Sequence, residues 1–377
     1  MLIYADFHIH SPFSGGTSDK IDLRKVAEGA KKKGLDVIGT GDCLHPAWQR
    51  EIKKYEKNGD IEIDGVHFIL TTEVEDKNRV HHLILFPDFY SVNDFKKRIA
   101  KHAKNVDYEG RPKIMIGGSE ILEFALDSNA LIGPAHAFTP WTSLYAYFDS
   151  MLDYYGGKPS FIELGLSADS NYADRIKELH TVPFLTNSDS HSYSPHRLGR
   201  EFNRLDVEEI TWERIRNAIL NKKIVMNAGF PPEKGKYNRT ACSSCYRQYS
   251  IEEAKKMGWK CLCGGKVKKG VRDRIDEIAD FKEAHHPEDR PPYMHIIPLA
   301  EIIAEALNSN PFSSTVKKRW SQLLKIGNEI SILIDIEIER IMKIAPPAVA
   351  DAISAFREGR VKIIPGGGGK YGEIVIE

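Results

Sequence analysis

The sequence predicts an α/β protein with a seven-stranded (β/α) barrel over residues 1–230. A small four-cysteine zinc-binding module over 236–272 and a mainly helical region over 273–377 follow it. Three observations carry that expectation. Short apolar runs alternate with helix-period stretches through the first 230 residues, the pattern of repeated strand–helix units. Histidines and carboxylates recur where the apolar runs end, which is where such a barrel builds its active site. Four cysteines then fall in a basic stretch just beyond a Pro231-Pro232 break.

In order, the strand candidates are 2–7, 37–41, 68–74, 83–86, 130–133, 161–164 and 182–186. Helix-period segments lie between them at 23–33, 92–103, 121–126 and 172–179. The alternation favours parallel pairing, because strand, helix and strand in turn is the crossover that parallel strands require. After the module a helix is expected at 299–307 and a longer one over about 315–344, opened by Ser313 and Ser314 as N-cap residues. Its middle, 332–338, alternates apolar and acidic residues and also fits a strand. Residues 348–357 read as a last helix, and the glycine-rich 365–372 as a linker or a DNA-contact loop.

Composition narrows the function. Hydrophobic residues at 41% and charged residues at 28% are those of a soluble globular protein. Lys and Arg balance Asp and Glu at 53 each, so nucleic-acid affinity has to come from local patches. No apolar run approaches the roughly 18 residues of a membrane span, and the N-terminus lacks the basic and apolar regions of a secretory signal. An intracellular, cytoplasmic location is expected, with no membrane partner. The five cysteines agree, since four cluster as a metal set and Cys43 stands alone.

Asp6-Phe7-His8-Ile9-His10 closes the first strand, and residues two apart on an extended chain share a face. His8 and His10 can therefore grip one ion. Asp42 and His45 follow the second strand, Glu73 ends the third and His82 opens the fourth. His136 follows the fifth, and Asp189 and His191 follow the last. Imidazoles with carboxylates suit zinc, manganese or iron, and several ions together need a bridging carboxylate such as Glu73. Cys43 reads as a buried, inert thiol.

His8-x-His10, Glu73, His82, Ala135-His136 and Asp189-x-His191 resemble the ordered motifs of the polymerase and histidinol phosphatase (PHP) superfamily. That resemblance implies a distorted seven-stranded barrel hydrolysing phosphoesters with two or three divalent ions (zinc, manganese, magnesium or iron). It further implies that His8, His10, Glu73 and Asp189 hold one ion and Glu73, His82 and His136 a second. His191 with Asp42 or His45 would hold a third. His8, His10, Glu73, His136, Asp189 and His191 are then the catalytic set. The chain departs from the pattern at its second motif, where Asp42-Cys43 replaces Asp-His, and shortly after the first, where Ser14-Gly15-Gly16 carries no ligand.

Cys242-Ser243-Ser244-Cys245, fifteen residues, then Cys261-Leu262-Cys263 is a four-thiolate pattern that leaves zinc no open position. Residues 236–272 carry ten Lys and Arg against Glu252 and Glu253 as the acids, with Tyr237, Tyr246, Tyr249 and Trp259 interleaved. Such a surface suits a phosphate backbone, with Lys266, Lys268, Lys269 and Arg272 as DNA-binding candidates. Barrel, cysteine module, Arg290-Pro291-Pro292-Tyr293 and Ile296-Ile297-Pro298-Leu299 together resemble the endonuclease Q family. The resemblance implies cleavage of damaged DNA on the 5′ side of hypoxanthine, uracil, xanthine and abasic sites. A small-molecule phosphatase of the histidinol-phosphatase type and a noncatalytic nucleic-acid adaptor are the competing readings.

Overall fold

The computed structural model describes residues 1–221 and 223–376. All seven expected strands form: β1 (Leu2–Asp6), β2 (Val37–Gly39), β3 (Val66–Glu75), β4 (His81–Phe86), β5 (Leu131–Pro134), β6 (Ile162–Glu163) and β7 (Phe184–Leu185). β1, β2 and β3 pair in parallel, as do β6 and β7. The expectation of parallel pairing fails at β3, β4 and β5, which run antiparallel. The cause is loop length. Only Asp76 to Val80 separate β3 from β4, too few for the dozen or so residues of a crossover.

The barrel closes irregularly. Ser160 N donates to Ile132 O at the β5–β6 seam, at 2.8 Å. At the β7–β1 seam Phe7 N donates to the Asn187 side chain at 2.9 Å, and a lone bridge joins Ile9 to Ser190. β8 (Phe202–Asp206) and β9 (Ile224–Gly229) extend the sheet antiparallel beside β1. The strand Tyr293–His295 then pairs in parallel with β9, so the chain beyond 273 joins the barrel sheet.

Ile3, Ala5, Phe7, Ile69, Leu83, Leu85 and Phe161 fill the barrel interior. A second, larger apolar cluster covers the outside and continues into the C-terminal helices. There the expected helix over 315–344 is three helices, Ser314–Leu323, Glu329–Ile334 and Ile338–Met342. Asn328 restarts the helix by accepting from Ser331 N, so 332–338 is not a strand. The segment expected to be helical at 172–179 is likewise split, into Ser170–Ala173 and a 3-10 turn at Lys177–Thr181.

Helix α1 (Leu23–Lys33) begins at Asp22, whose carboxylate accepts from Lys25 N, and ends on Gly34 at φ 102°. Its last residue, Lys33, is buried and meets Glu329 at 2.7 Å. Glu329 also accepts from Trp320 Nε1 and Leu299 N, so one carboxylate ties the barrel's first helix to three C-terminal segments. Removing one partner of a buried pair strands the other charge and costs about 3–5 kcal/mol. Glu329→Ala should therefore lose stability on that scale in urea unfolding, and Glu329→Gln less, because the amide still accepts from Trp320.

Candidate active site and metal centres

β3 and β4 alternate strictly. Ile69 and Leu83 reach the barrel interior, and two-residue steps carry Glu73, Glu75 and His81 onto that same face at the mouth. The chain leaving β1 brings His8 and His10, that after β5 brings His136, and that after β7 brings Asp189. Three residues at these strand ends, Asp42, His136 and Asp189, hold left-handed backbone at φ 47°, 31° and 47°. Non-glycine residues seldom adopt that region, and when they do it is often at sites where side-chain aim matters.

Two groups of ligand atoms result: His8, His10 and Asp189, and Glu73, His81 and His136, each within 4.8 Å of one another. Glu73 links them. Its Oε1 receives His81 Nδ1 at 2.8 Å and His136 Nε2 at 3.0 Å, and lies 3.7 Å from His8 Nε2. Its Oε2 lies 3.5 Å from His10 Nε2 and accepts from Arg111 Nη1 at 2.9 Å. A carboxylate so placed fits the bridge that a two-ion site requires. His8 supplies the test of fit. Its Nδ1 contacts both oxygens of buried Glu163 at 3.0 Å, while its buried Nε2, facing the cluster, has no hydrogen-bond partner. A carboxylate on the outer nitrogen and a free inner one is the arrangement of a metal-binding histidine.

Three expected ligands lie elsewhere. His82 is on the outer face of β4, opposite Val74, with Nδ1 against the Tyr155 hydroxyl at 2.8 Å. His81 takes the expected place, because a step of one residue on a strand reverses the face. Asp42 spends one oxygen on Ser11 N, Ser11 Oγ and Ser14 Oγ and turns the other to His10 Nδ1 at 3.3 Å. In this geometry it is placed to orient His10. His45 is stacked on Phe13 at 3.8 Å, outside both groups. Cys43 is buried, and burial pushes its thiol well above the ordinary range. His191 stacks on His10 at 4.3 Å, with Nε2 3.6 Å from Asp189. Burial and the His10 ring bring it down to about 4, so at pH 7 it is neutral and its ring nitrogen is free to ligate.

Charge in the mouth is finely opposed. Burial disfavours a charged His8 ring, yet Glu163, Glu73 and Asp189 outweigh it and raise His8 to about 10. Burial is likewise overcome at His10, which Asp189, Asp42 and Glu73 lift to about 9. Burial would push Glu73 and Asp189 up, but the surrounding rings hold both carboxyls below their usual values. Such a carboxylate excess holds cations, and without metal those cations are protons.

Glu163, Asn187 and Arg111 were not singled out from the sequence. Asn187 Nδ2 donates to Glu163 at 2.8 Å, and Glu163 also accepts from His136 N at 2.7 Å. Glu163 falls at the end of an expected strand, and that position is the one signal that could have marked it.

In the cysteine module the strands Ala241–Cys242 and Val267–Lys268 pair, bringing Cys242, Cys245, Cys261 and Cys263 together. The Cys242–Cys263 and Cys245–Cys261 sulfur distances are 3.5 Å, near the roughly 3.8 Å that thiolates about 2.3 Å from one zinc would show. Tyr249 donates to Cys261 and brings that thiol down to about 6. Of the four basic candidates, Lys269 pairs with Glu277 and Arg272 with Asp273. Lys268 lies over the Trp141 ring at 5.7 Å, and Lys266 is exposed.

A cavity of about 520 Å³ opens over the metal residues, lined by His136, Asp189 and His191 and walled by Trp141, Tyr237 and Tyr371. Thr139, Pro140 and Ser167 complete the same wall.

The barrel and its two His/carboxylate groups have the arrangement expected of a metal-dependent phosphoesterase of the PHP type. The family model described as MJ0043 C-terminal domain matches residues 298–360. Protein MJ0043 of Methanocaldococcus jannaschii is 50% identical over 246 residues, 63% of this chain and 31% of that protein, so the match spans about a third of that relative's length. The lesion-specific endonuclease PfuEndoQ from Pyrococcus furiosus is 51% identical, with TM-score 0.95 over 100% of this chain and 96% of that one. An endonuclease Q complex with a 27-mer duplex carrying an abasic lesion at the active site is 50% identical, with TM-score 0.96 over 100% and 97%. This chain belongs to the endonuclease Q family.

Two outcomes follow from the site. Loading metal-free protein with zinc at pH 7 should release protons, because His8 and His10 titrate at about 10 and 9 and a ligand nitrogen has to be unprotonated. Apparent affinity should thus climb with pH toward those values, and calorimetry in buffers of different ionisation enthalpy reads the release directly. Cys242→Ser or Cys261→Ser should cost one zinc per chain by elemental analysis and expose 236–272 to proteolysis while the barrel stays resistant.

Proposed function

We propose that this protein is a lesion-specific DNA endonuclease, hydrolysing the phosphodiester 5′ to deaminated bases (hypoxanthine, uracil, xanthine) and to abasic sites. The observation that supports this best is the match along the whole chain to an endonuclease Q bound to duplex DNA with an abasic lesion at its active site. The small-molecule phosphatase reading is weaker, since the cavity wall includes Lys236, Tyr237 and Tyr371 from outside the barrel. The adaptor reading leaves the buried, oriented ligand set without a purpose.

The barrel residues that would hold divalent ions are His8, His10 and Asp189 on one side and His81 and His136 on the other, with Glu73 between. Ions held there acidify water and neutralise phosphate charge. The protein's own groups supply the aim. Glu163 fixes His8 through Nδ1, Asp42 fixes His10, and Asn187 fixes Glu163. His191, neutral at the rim, could complete the coordination. A base stacked in a duplex cannot enter a barrel mouth, so lesion reading requires extrusion at a cost of a few kcal/mol, least where pairing is weak. The basic module would hold the backbone, which sets position and carries no base information.

A nicking assay on duplexes with and without one deoxyinosine tests the reading. The metal-loaded protein should cut the lesion duplex 5′ to deoxyinosine and leave the normal one intact. His8→Ala and Asp189→Ala should abolish cutting with little loss of fold. Equal nicking of both duplexes would reduce the reading to general phosphodiester hydrolysis.

A further inference from the structure

The second PHP motif is altered here, and the structure explains what stands in its place. Asp42 spends Oδ2 on Ser11 and Ser14 and turns Oδ1 to His10 Nδ1, and His45 is stacked on Phe13. The loop ending in Arg111 closes over Asp42: a side chain at Gly110 would collide with Asp42 Oδ2 and Ser14 Oγ. The loop is pinned on both sides of Arg111, by Gly110 N to Phe13 O at 2.9 Å and by Glu75 N to Pro112 O at 3.0 Å. The guanidinium enters the mouth where it donates to Glu73 at 2.9 Å. It keeps 30% of its side-chain surface open and lines the cavity with Asp189 and His191. One Nη atom is spent on Glu73, and a guanidinium has donors to spare.

We propose that Arg111 supplies the positive charge on the scissile phosphate that a third ion would otherwise bring, by donating to a nonbridging phosphate oxygen. The barrel then holds two ions. A fixed guanidinium suits this role because its planar fork matches phosphate geometry and its charge persists at any working pH. This inference rests on the endonuclease reading.

The test uses a duplex with one abasic site in which the scissile linkage is either a charged, uncleavable 3′-methylenephosphonate or an uncharged methylphosphonate. Metal-loaded wild type should prefer the charged linkage. Arg111→Ala should lose about ten- to a hundredfold affinity for it, the scale of one charge-assisted hydrogen bond, and nothing on the uncharged one. Arg111→Lys should recover part of the preference. Elemental analysis should give two barrel ions beside the module zinc in all three proteins. A third barrel ion in the wild type overturns the proposal. So does an equal loss on both linkages, or loss of barrel metal from Arg111→Ala, which would make Arg111 a positioning residue for Glu73. Failure of the wild type to nick any lesion duplex would instead remove the endonuclease reading, and it shows before any variant is made.

Discussion

Glu73 is buried at the centre of the barrel mouth, and a buried carboxylate is tolerated only where donors or cations surround it. Arg111, His81 and His136 do so directly, with His8 and His10 just beyond hydrogen-bond reach. Those rings in turn need acceptors on their far sides, and Glu163, Asp42 and Glu75 provide them. The result is a shell of alternating charge in which each residue is held by a neighbour of opposite sign. Its geometry is set before substrate arrives, which is what makes a catalytic cluster effective. The left-handed backbone at Asp42, His136 and Asp189 is the strain that this aim entails.

The strands were legible because each apolar run is short, β-branched and bounded, so all seven appear close to where the pattern puts them. Their directions were less so. A loop of five residues between β3 and β4 decides an antiparallel pair, and that depends on where two strands end, the least certain feature of any such reading. The same uncertainty explains His81 and His82. Two adjacent histidines point to opposite faces, and only the register with Glu73 says which one faces inward.

The candidate ligands after β1, on β3 and after β5 and β7 could be read from the sequence because alternation and strand ends locate them. Asp42 could not be placed, since its partners Ser11 and Ser14 lie some thirty residues away and meet it only after folding. Arg111 was invisible for the same reason. It sits in a loop without periodicity, and its meaning depends on a backbone clamp to Phe13 and Glu75. The glycine-rich 365–372 is the turn of a hairpin, Val361–Ile364 with Glu373–Ile376. It lies against the zinc module, where a side chain at Gly368 would collide with the Cys242 carbonyl.

That contact bears on how the two metal-dependent parts act together. The module's own apolar cluster is Cys242, Ala254, Cys261 and Val267, and two of these belong to the four-cysteine group. So small a core cannot hold a fold unaided. Zinc binding contributes about 10–16 kcal/mol in such modules, against about 0.5–1 kcal/mol for an exposed cation–π contact such as Lys268 over Trp141. Zinc held by the four thiolates would therefore decide the shape of the module, and the module supplies Lys236 and Tyr237 to the outer wall of the cavity. Tyr237 meets Trp141 edge-on at 4.5 Å, and Lys236 lies between the Tyr237 and Tyr371 rings. Barrel ions could occupy their sites with that wall loose, but a duplex could not then be held at a fixed distance from them. In the proposed endonuclease, hydrolysis and DNA grip would be chemically separate and mechanically joined through this wall.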